Sequence, residues 1–467
     1  MPIDSHFRFV NARIPSKQGP VEASVSVRDG VIEALDTPAQ HGTKDVDLEG
    51  AWLLPGGIDG HVHFDDPGFT EREDFSSGSR AAAAGGITTV VDMPCTSLPP
   101  VTDGDAFDNK LAVVGPKAHV DFRLWGGVRG NEFEPEAVER HLDALAARGV
   151  RSIKTYLISG MDTFTDLTPE QLRTVLVAAK MRGMRVGVHA EDKGLILEQT
   201  ARERAAPQSD TPSAYGRARS AEAETEGVRT CINLCEETGA PLHVVHLACA
   251  DGLEAIRAAK SRGVPITVET CPHYLAFTDV DLDRLGGLLK TAPVVKGSAD
   301  RDALWEGLAD GTLDMIATDH APGKFPEEKT TGSIWTDYGG VPGVELLLTF
   351  VLSEGVHTGR ISLWRAVQLL CEGPARVHAL RGKGVVEPGA DADFAVFEPK
   401  ATWTVRAAEL RTRQKYTPFE GMRLTGRVRR TYLRGIQVFD DEHGLVGDPC
   451  GRHVPAVSER ATPKTGR

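Results

Sequence analysis

Six residues of types that bind metal ions stand near the ends of short apolar runs in this 467-residue chain. Each run has the length and composition of a buried strand, and the carboxyl ends of parallel strands in an α/β barrel meet at one mouth. Imidazole and carboxylate groups brought together there are ligands for divalent ions. The sequence therefore predicts one metal site, formed by His61, His63, Lys154, His189, His246 and Asp319.

A histidine pair begins this set. His61 and His63 are separated by one residue, so on a regular strand both imidazoles face the same side. A histidine pair alone is as typical of a core or a surface position. The other members change the interpretation, because His189, His246 and Asp319 each follow a different apolar run. Their shared placement at strand ends favours a common site over separate packing roles.

Lys154 is the unexpected member, because an ammonium group near divalent cations is repelled. Burial lowers the pKa of a lysine and leaves a neutral, nucleophilic amine. Such an amine can add carbon dioxide and become a carbamate, which is anionic and has two oxygens. The sequence thus predicts a carbamate on Lys154 that bridges two divalent ions. Without the other five residues, an ion-paired lysine inside the barrel would be the better interpretation.

Two metal ions held in this way activate water and polarise a carbonyl group. A carboxylate beside them, here Asp319, can pass a proton from the attacking water to a leaving nitrogen. The predicted reaction is therefore metal-assisted hydrolysis of an amide, with Asp319 as its catalytic residue. These residues leave the identity of the amide open.

The wider pattern predicts the fold that positions these side chains. Apolar strand candidates alternate with helical segments, and their number indicates an α/β fold, a (β/α)8 TIM barrel. Thr168 and Pro169 are predicted to start one of the helices. The eight strands are expected near residues 52–58, 87–93, 119–126, 150–157, 185–190, 241–247, 264–270 and 313–319.

Short alternating strands are predicted at both ends of the chain. We expect residues 1–54 and 385–453 to form one small composite β-sandwich domain, beside a barrel of residues 55–384. Residues 454–467 are polar and basic with two prolines, and are predicted to be a disordered tail.

Composition limits the partners and the location. The formal net charge of −13 argues against nonspecific binding to nucleic acid or to anionic membranes. No run reaches the roughly 18 apolar residues of a membrane span, and the first residues lack the apolar core of a signal peptide. The seven cysteines form no C-x-x-C pair, which is typical of reduced thiols. A cytoplasmic protein with a small-molecule substrate is the expectation.

The motifs resemble those of the cyclic amidohydrolases, a group that includes dihydroorotases, hydantoinases (dihydropyrimidinases) and allantoinases. The resemblance runs nearly end to end, and the combination of motifs is specific for the group. The stretches that carry it are Leu54-Pro-Gly-Gly-Ile-Asp-Gly-His-Val-His-Phe64, Ala82-Ala-Ala-Gly-Gly-Ile-Thr-Thr-Val90, Val268-Glu-Thr-Cys-Pro-His-Tyr-Leu275 and Ala317-Thr-Asp-His-Ala-Pro322.

The resemblance implies two metal ions, usually Zn²⁺, with Mn²⁺, Co²⁺ or Fe²⁺ in some relatives. The more buried ion would be held by His61, His63 and Asp319, and the more exposed ion by His189 and His246. Carbamylated Lys154 would bridge the two ions. Relatives are commonly homotetramers, so an oligomer is expected. The predicted substrate contacts are Thr96, Ser159, His273, Thr291 and Gly339.

Differences within the group narrow the substrate. Dihydroorotases carry an arginine just after the His-x-His motif and an asparagine in a Met-Pro-Asn-Thr stretch. This chain has Phe64-Asp65 and Met93-Pro-Cys-Thr96 at those places, so a ring that bears a carboxylate is a poor fit. Allantoinases share the pattern His63-Phe-Asp-Asp-Pro-Gly-Phe-Thr-Glu71, although they usually read Met-Pro-Leu-Asn where this chain has Met93-Pro-Cys-Thr96. Allantoin is the main candidate, with a hydantoinase-type or other cyclic amide as the alternative.

Two other classes are weighed against this prediction. Some relatives of hydantoinases have lost the metal ligands and serve as cytoskeletal interaction proteins, whereas all six ligand positions are filled here. Deaminases of the same superfamily with a single metal need no bridging carbamate, so Lys154 argues against that class.

Two further histidines are assigned roles outside the metal set. His243 lies three residues before His246, so it is predicted to point toward the helical layer. His320 is expected either to assist catalysis or to orient Asp319.

Overall fold

The structure, a computed structural model, describes residues 6–38 and 43–454. Except for Val454, the predicted disordered tail of residues 454–467 lies outside the described residues. The N–H of Val454 donates to the carbonyl of Phe122 at 2.8 Å, so the described chain ends against the barrel.

The N-terminal segment forms five short strands. They are β1 (Phe7–Ile14), β2 (Val21–Arg28), β3 (Val31–Leu35), β4 (Lys44–Asp47) and β5 (Trp52–Pro55). β1 pairs with β2 in antiparallel orientation and with β4 in parallel orientation. Phe9 and Val25 are fully buried between these strands and the C-terminal part of the chain, as the alternating apolar pattern predicts.

Eight parallel strands form the barrel, and one of them is interrupted at Trp125. They are β6 (Gly57–Val62), β7 (Ile87–Asp92), β8 (Asp121–Leu124) with its continuation β9 (Gly126–Gly127), β10 (Ser152–Tyr156), β11 (Arg185–His189), β12 (Leu242–Val244), β13 (Ile266–Thr270) and β14 (Met315–Ile316). Neighbouring strands are hydrogen-bonded from β6 to β8 and from β9 to β14, and a bridge between Val62 and His320 closes the ring. The predicted TIM barrel is confirmed.

Helices cover the outside of the barrel. They are α1 (Phe75–Ala84), α2 (Gly104–Val114), α3 (Pro135–Ala147), α4 (Pro169–Met181), α5 (Lys193–Ala205), α6 (Pro212–Ala218), α7 (Ala221–Thr238), α8 (Ala250–Ser261), α9 (Pro272–Ala276), α10 (Asp279–Leu285), α11 (Ser298–Asp310), α12 (Leu347–Val351), α13 (Leu363–Val367) and α14 (Gly373–Val377). α4 begins as predicted, with the Thr168 hydroxyl accepting from the N–H of Gln171 at 3.2 Å. Across the described residues, no helix has the length and apolar character needed to cross a bilayer.

The C-terminal segment completes the first sheet. It contributes β15 (Phe394–Thr404), β16 (Arg423–Leu433), β17 (Ile436–Asp440) and β18 (Gly444–Leu445). β15 pairs with β5 in antiparallel orientation, which gives the strand order β18-β17-β16-β15-β5-β1-β2-β3, with β4 beside β1. A composite β-sandwich domain from both chain ends is confirmed, whereas its residue boundaries stay a prediction.

One predicted strand and one segment near the C-terminus are each divided in the structure. The segment 52–58 separates into β5, in the large sheet, and β6, in the barrel. The chain passes from one to the other at Gly56, where an added Cβ would lie 2.1 Å from a side chain of β7. The segment 430–439 turns back at Arg434 and Gly435, whose φ angles of 46° and 72° are those of a two-residue hairpin turn.

The strand register arranges the barrel interior in rows. Lys154 on β10 pairs with Gly187 on β11, which pairs with His243 on β12. Two residues further along, Tyr156 pairs with His189. Because alternate residues of a strand share a face, these two rows both point inward, with the second nearer the carboxyl ends of the strands.

A buried lysine joins the barrel to the composite domain at the start of β8. Lys383 Nζ lies 2.6 Å from Asp121, 2.7 Å from Asp393 and 2.8 Å from Asp391. These three carboxylates are close enough to hold a metal ion, but the ammonium of Lys383 already supplies a cation there. Asp121 also forms an ion pair with Arg434, so the cluster links β8 to the C-terminal segment through buried ion pairs.

Candidate metal centre

All six predicted metal ligands line one cavity. The cavity has a volume of about 570 Å³ and is bordered by residues at the carboxyl ends of the barrel strands and by the loops that follow them. This is the end of a TIM barrel at which active sites lie. The structure therefore places the whole predicted set in a single site.

One group of ligand atoms comes from β6 and from the residues after β14. Nε2 of His61 and Nε2 of His63 lie 3.0 Å and 3.2 Å from Oδ1 of Asp319. Nδ1 of His61 faces Glu269 Oε1 at 2.5 Å, which places the imidazole proton on Nδ1 and leaves the Nε2 lone pair toward Asp319. Two acceptors in this arrangement repel each other unless a cation lies between them. The group therefore fits a divalent ion.

A second group comes from β11 and from the residues after β12. Nδ1 of His189 and Nε2 of His246 are 3.1 Å apart. Nε2 of His189 faces Glu191 at 2.7 Å, so the proton belongs there and Nδ1 is an acceptor. Arg219 binds the same Glu191 carboxylate and fixes its position. The imidazole centroids of His61 and His246 are 5.5 Å apart, which puts the second group directly beside the first.

Lys154 lies on β10 and its side chain is fully buried. Among the described residues, its Nζ has no hydrogen-bond partner, and it lies 4.7 Å from the ring centroid of Tyr156. Burial lowers the pKa of Lys154, although the neighbouring Cys95 and Asp319 partly oppose the effect. A buried amine without hydrogen-bond partners is costly in its charged form, so the site favours the neutral amine, and the carbamate stays a prediction.

The backbone adopts a left-handed conformation at two of the ligands. The φ angles of His246 and Asp319 are 42° and 49°. Non-glycine residues are uncommon in this region, and those that occur concentrate at functional sites. Both residues follow very short strands, so the turn of the backbone directs their side chains into the cavity.

Glu269 on β13 is the main site residue that sequence reasoning missed. Its fully buried carboxylate contacts His61 Nδ1 at 2.5 Å and His243 Nε2 at 3.1 Å. Burial alone raises the pKa of Glu269, but the two histidines outweigh this and hold it well below its usual range. The sequence signal is a lone carboxylate inside an apolar strand, because such a group needs a buried partner.

The prediction that His243 faces the helical layer is wrong. Besides Glu269, its imidazole contacts the Thr267 hydroxyl at 2.9 Å, inside the barrel. Counting alternate residues back from His246 fails because β12 ends at Val244 and the backbone leaves the strand conformation before His246. His243 thus supports the predicted ligand His61 indirectly, through Glu269.

Glu269→Gln is expected to weaken metal binding about tenfold to a hundredfold, because the amide keeps the volume but loses the charge that orients His61. Metal content after dialysis against increasing chelator concentrations measures the effect. Glu345→Gln is the matched control, since this largely buried carboxylate pairs with Arg411 at 2.9 Å outside the cavity lining. Equal metal retention by the Glu269 and Glu345 variants would contradict the assigned role.

Three of the five predicted substrate contacts line the cavity, namely Thr96, Ser159 and Gly339. The Thr96 hydroxyl also lies 3.2 Å from His63 Nδ1. The Ser159 hydroxyl donates to the carbonyl of Phe164 at 2.7 Å, so part of its function is to hold its own loop. Gly339 is exposed to the cavity.

The other two predicted contacts, His273 and Thr291, lie behind the lining and are buried. His273 Nε2 and Thr291 Oγ1 have no hydrogen-bond partner among the described residues. Burial lowers the pKa of His273 to about 4, so its imidazole is neutral at pH 7. Lys290 and Ala292, on either side of Thr291, do line the cavity. The substrate roles of all five residues stay predictions.

His320 is fully buried and lies outside the cavity lining. Its Nε2 lies 3.2 Å from Glu73, and its Nδ1 accepts from the N–H groups of Gly343 and Val344 at 3.0 Å and 3.2 Å. Its carbonyl accepts from the N–H of His63 at 2.8 Å. These contacts do not include the Asp319 side chain, so both predicted roles of His320, assistance in catalysis and orientation of Asp319, stay predictions.

A sequence profile of the Amidohydrolase family matches residues 52–438, which include every barrel strand. The chain belongs to the amidohydrolase family. Curated relatives match this amidohydrolase over nearly its full length. An allantoinase of Rubrobacter xylanophilus is 39% identical over 440 residues, which are 94% of this chain and 95% of the relative. An L-hydantoinase of Paenarthrobacter aurescens is 35% identical over 451 residues, 95% and 96% of the two chains.

Solved structures support the same assignment. The L-hydantoinase (dihydropyrimidinase) from Arthrobacter aurescens matches this amidohydrolase with a TM-score of 0.91 at 31% identity, covering 96% of this chain and 99% of the other. Membership of the cyclic amidohydrolase group, predicted from four short motifs, is thereby confirmed.

Proposed function

We propose that this amidohydrolase opens the cyclic amide bond of allantoin to give allantoate. The observation that carries the proposal is the 39% identity to an allantoinase across nearly all of both chains. The six ligand-competent residues around one cavity support it. The proposal includes a homotetramer, as the family resemblance implies, and a cytoplasmic location, as the sequence predicts.

The donor set fits two divalent ions. When bound, such ions supply Lewis-acid activation of water and of the substrate carbonyl. We propose zinc, with manganese, cobalt or iron as alternatives. The residues that would hold the ions are His61, His63 and Asp319 for one, His189 and His246 for the other, and a carbamate on Lys154 between them.

Asp319 is the proposed proton carrier. A cation held between Oδ1 of Asp319 and the Nε2 atoms of His61 and His63 would favour the ionised form of the Asp319 carboxylate. The carboxylate is therefore ionised at neutral pH and can accept a proton from the attacking water. It returns this proton to the ring nitrogen as the carbon–nitrogen bond breaks, and the new carboxylic acid releases the second proton of the water to solvent. The opened ring then carries a carboxylate on one side and an N–H group on the other.

The cavity wall away from the metal ligands suits a polar ring substituent. Ser159, Lys290, Asp337 and the exposed backbone of Gly339 all contribute to it. Allantoin carries a ureido group, whose N–H and carbonyl groups need hydrogen-bond partners once they are buried. This polar wall therefore favours allantoin over hydantoins with apolar substituents.

A hydantoinase-type activity is the second candidate. The cavity also contains apolar side chains, namely Ile158, Met161 and Trp335, against which an apolar substituent could pack. The similarity to L-hydantoinase in both sequence and structure favours the same alternative.

Ring-opening rates test the proposal directly. The metal-reconstituted enzyme, with bicarbonate present, is assayed on allantoin, hydantoin, dihydrouracil and dihydroorotate side by side. We expect kcat/KM for allantoin to exceed the others by about a hundredfold or more, roughly 2.7 kcal/mol of transition-state discrimination. Preference for hydantoin or dihydrouracil would instead assign the second candidate. Turnover of none of the four, with two ions bound, would overturn both.

A further inference from the structure

A short stretch of chain covers part of the cavity. This covering segment, residues 333–340, belongs to the loop after the last barrel strand and contributes Trp335 through Gly339 to the cavity lining. The Trp335 indole N–H donates to the carbonyl of Ser209 at 2.8 Å, so the segment is tied to the loop between α5 and α6. Its conformation therefore decides the shape of the cavity on this side.

A buried lysine holds the end of the covering segment. Lys329 is 1% exposed, and its Nζ donates to the carbonyls of Tyr338 at 2.7 Å and Gly340 at 2.8 Å. These two carbonyls flank Gly339 on either side. No carboxylate within the described residues lies at ion-pair distance from this Nζ. Its Nζ also lies 5.6 Å from the ring centroid of Tyr416, so its hydrogen-bond partners are two backbone carbonyls and its remaining contact is an aromatic ring.

A second lysine ties the same segment to the neighbouring wall. Lys290 Nζ donates to the carbonyl of Asp337 at 2.5 Å. The carbonyl of Lys290 in turn accepts from the N–H of Gly340 at 2.8 Å. Because Lys290 precedes Thr291, the two backbone stretches with predicted substrate contacts, at Thr291 and Gly339, are linked to each other.

These contacts leave Gly339 itself open to the cavity. Its N–H donates to no acceptor within residues 6–38 and 43–454, and an added Cβ would meet no atom within 4 Å. The backbone of the next residue, Gly340, packs closely against Ala321. Its φ is 150°, and an added Cβ would lie 2.2 Å from the carbonyl oxygen of Ala321. A free donor between fixed neighbours is the arrangement expected of a substrate contact.

Burial of an amine at position 329 has a cost, which its contacts must offset. Burial, reinforced by the nearby Lys290 ammonium, lowers the pKa of Lys329 to about 7. The nearby Asp337 and Glu328 carboxylates only partly oppose this effect. An apolar side chain of similar volume would avoid the cost of burying the amine, but it would remove the donor from the carbonyls of Tyr338 and Gly340. The two hydrogen bonds beside Gly339 are what distinguishes the lysine from such a replacement.

We propose that Lys329 is a positioning residue, which fixes the carbonyls of Tyr338 and Gly340 and thereby directs the Gly339 N–H toward the substrate ring. The kinetic part of this inference rests on the proposed ring-opening activity. Lys329 acts through the backbone and touches no reacting atom.

The test is chemical rescue of Lys329→Ala. We expect kcat/KM to fall about thirtyfold or more, mainly through a raised KM, with the metal content per chain unchanged. Propylamine replaces the atoms that the substitution removes and should raise the kcat/KM of the variant at least about tenfold. Tetramethylammonium has no N–H donor and should restore nothing. Wild-type kinetics in the variant, loss of metal in step with activity, or equal rescue by both cations would overturn the proposal.

Two variants guard against a purely structural effect. Lys329→Met fills the volume without the donors and should show the same kinetic loss, which keeps the test valid if the alanine variant does not fold. Lys324→Met is the matched control, because this exposed lysine of the same loop pairs with Glu71 at 2.7 Å. It should stay within twofold of wild type, and a loss equal to that of Lys329→Met would overturn the proposal.

Amide hydrogen exchange separates this inference from the proposed function. The assays use whichever cyclic amide the wild-type enzyme opens fastest, so a preference for hydantoin defeats the allantoin proposal but not this one. Exchange measured by mass spectrometry on peptides covering residues 333–343 needs no substrate. We expect it to be at least about tenfold faster in Lys329→Met than in wild type or Lys324→Met, and unchanged exchange would overturn the proposal.

Discussion

Lys154→Ala is expected to lower kcat for ring opening at least about a thousandfold, roughly 4 kcal/mol of transition-state stabilisation. The reason is geometric, because the side chain is fully buried on β10 among the other ligands and its Nζ has no hydrogen-bond partner among the described residues. Removing it deletes the proposed bridge, so the variant should also hold fewer than two ions per chain. Atomic absorption after gel filtration and a ring-opening assay measure the two effects.

Short carboxylic acids provide the control for Lys154→Ala. Acetate or propionate can occupy the space of the lost carbamate and should restore part of both metal binding and activity. A chloride salt of the same ionic strength should restore neither. Full activity without added acid would contradict the bridging role, as would a loss of activity with both ions retained and no rescue by acids.

Lys383→Met is expected to lower the free energy of unfolding by about 3 kcal/mol or more, because it leaves Asp121 and Asp393 buried without their shared cation. The side chains of Lys383 and Asp121 are each 1% exposed. The cluster lies at the start of β8, away from the carboxyl ends of the strands, so the activity per folded molecule should not change. Thermal unfolding followed by circular dichroism measures the stability.

Two further variants show whether the loss of stability in Lys383→Met comes from the buried charges. Arg148→Met breaks a surface pair with Asp108, whose carboxylate is 56% exposed, and should leave the unfolding midpoint almost unchanged. Adding Asp393→Asn to Lys383→Met removes one of the uncompensated charges and should recover part of the stability. No loss in Lys383→Met, or no recovery in the double variant, would mean that Arg434 alone neutralises the cluster.

The residues of the candidate metal site could be picked out from sequence because each one is a local signal. His61, His189 and Asp319 are ligand-type residues at the end of an apolar run, and a parallel barrel brings such ends together whatever the register of the strands. The start of α4 was predictable for a similar reason, since a threonine cap and a first-turn proline act within one helical turn.

Residues that depend on partners elsewhere in the chain could not be placed in this way. Glu269 acquires its role only when the register brings β13 against β12 and His61 lies across the barrel. His243 was assigned to the wrong face because β12 is only three residues long, so that strand alternation does not extend to His246. Lys329 carries no motif at all, since its partners are two carbonyls whose positions a loop sets.

The pairing of β5 with β15 has a consequence for synthesis on the ribosome. β5 carries the apolar residues Trp52, Leu53 and Leu54, and its partner strand is made only after the whole barrel sequence has been translated. Until then the nascent chain presents an open strand edge, which is a template for pairing with other chains. Dividing one sheet between two distant segments of the chain thus leaves the edge of β5 that faces β15 unpaired until the barrel sequence has been made.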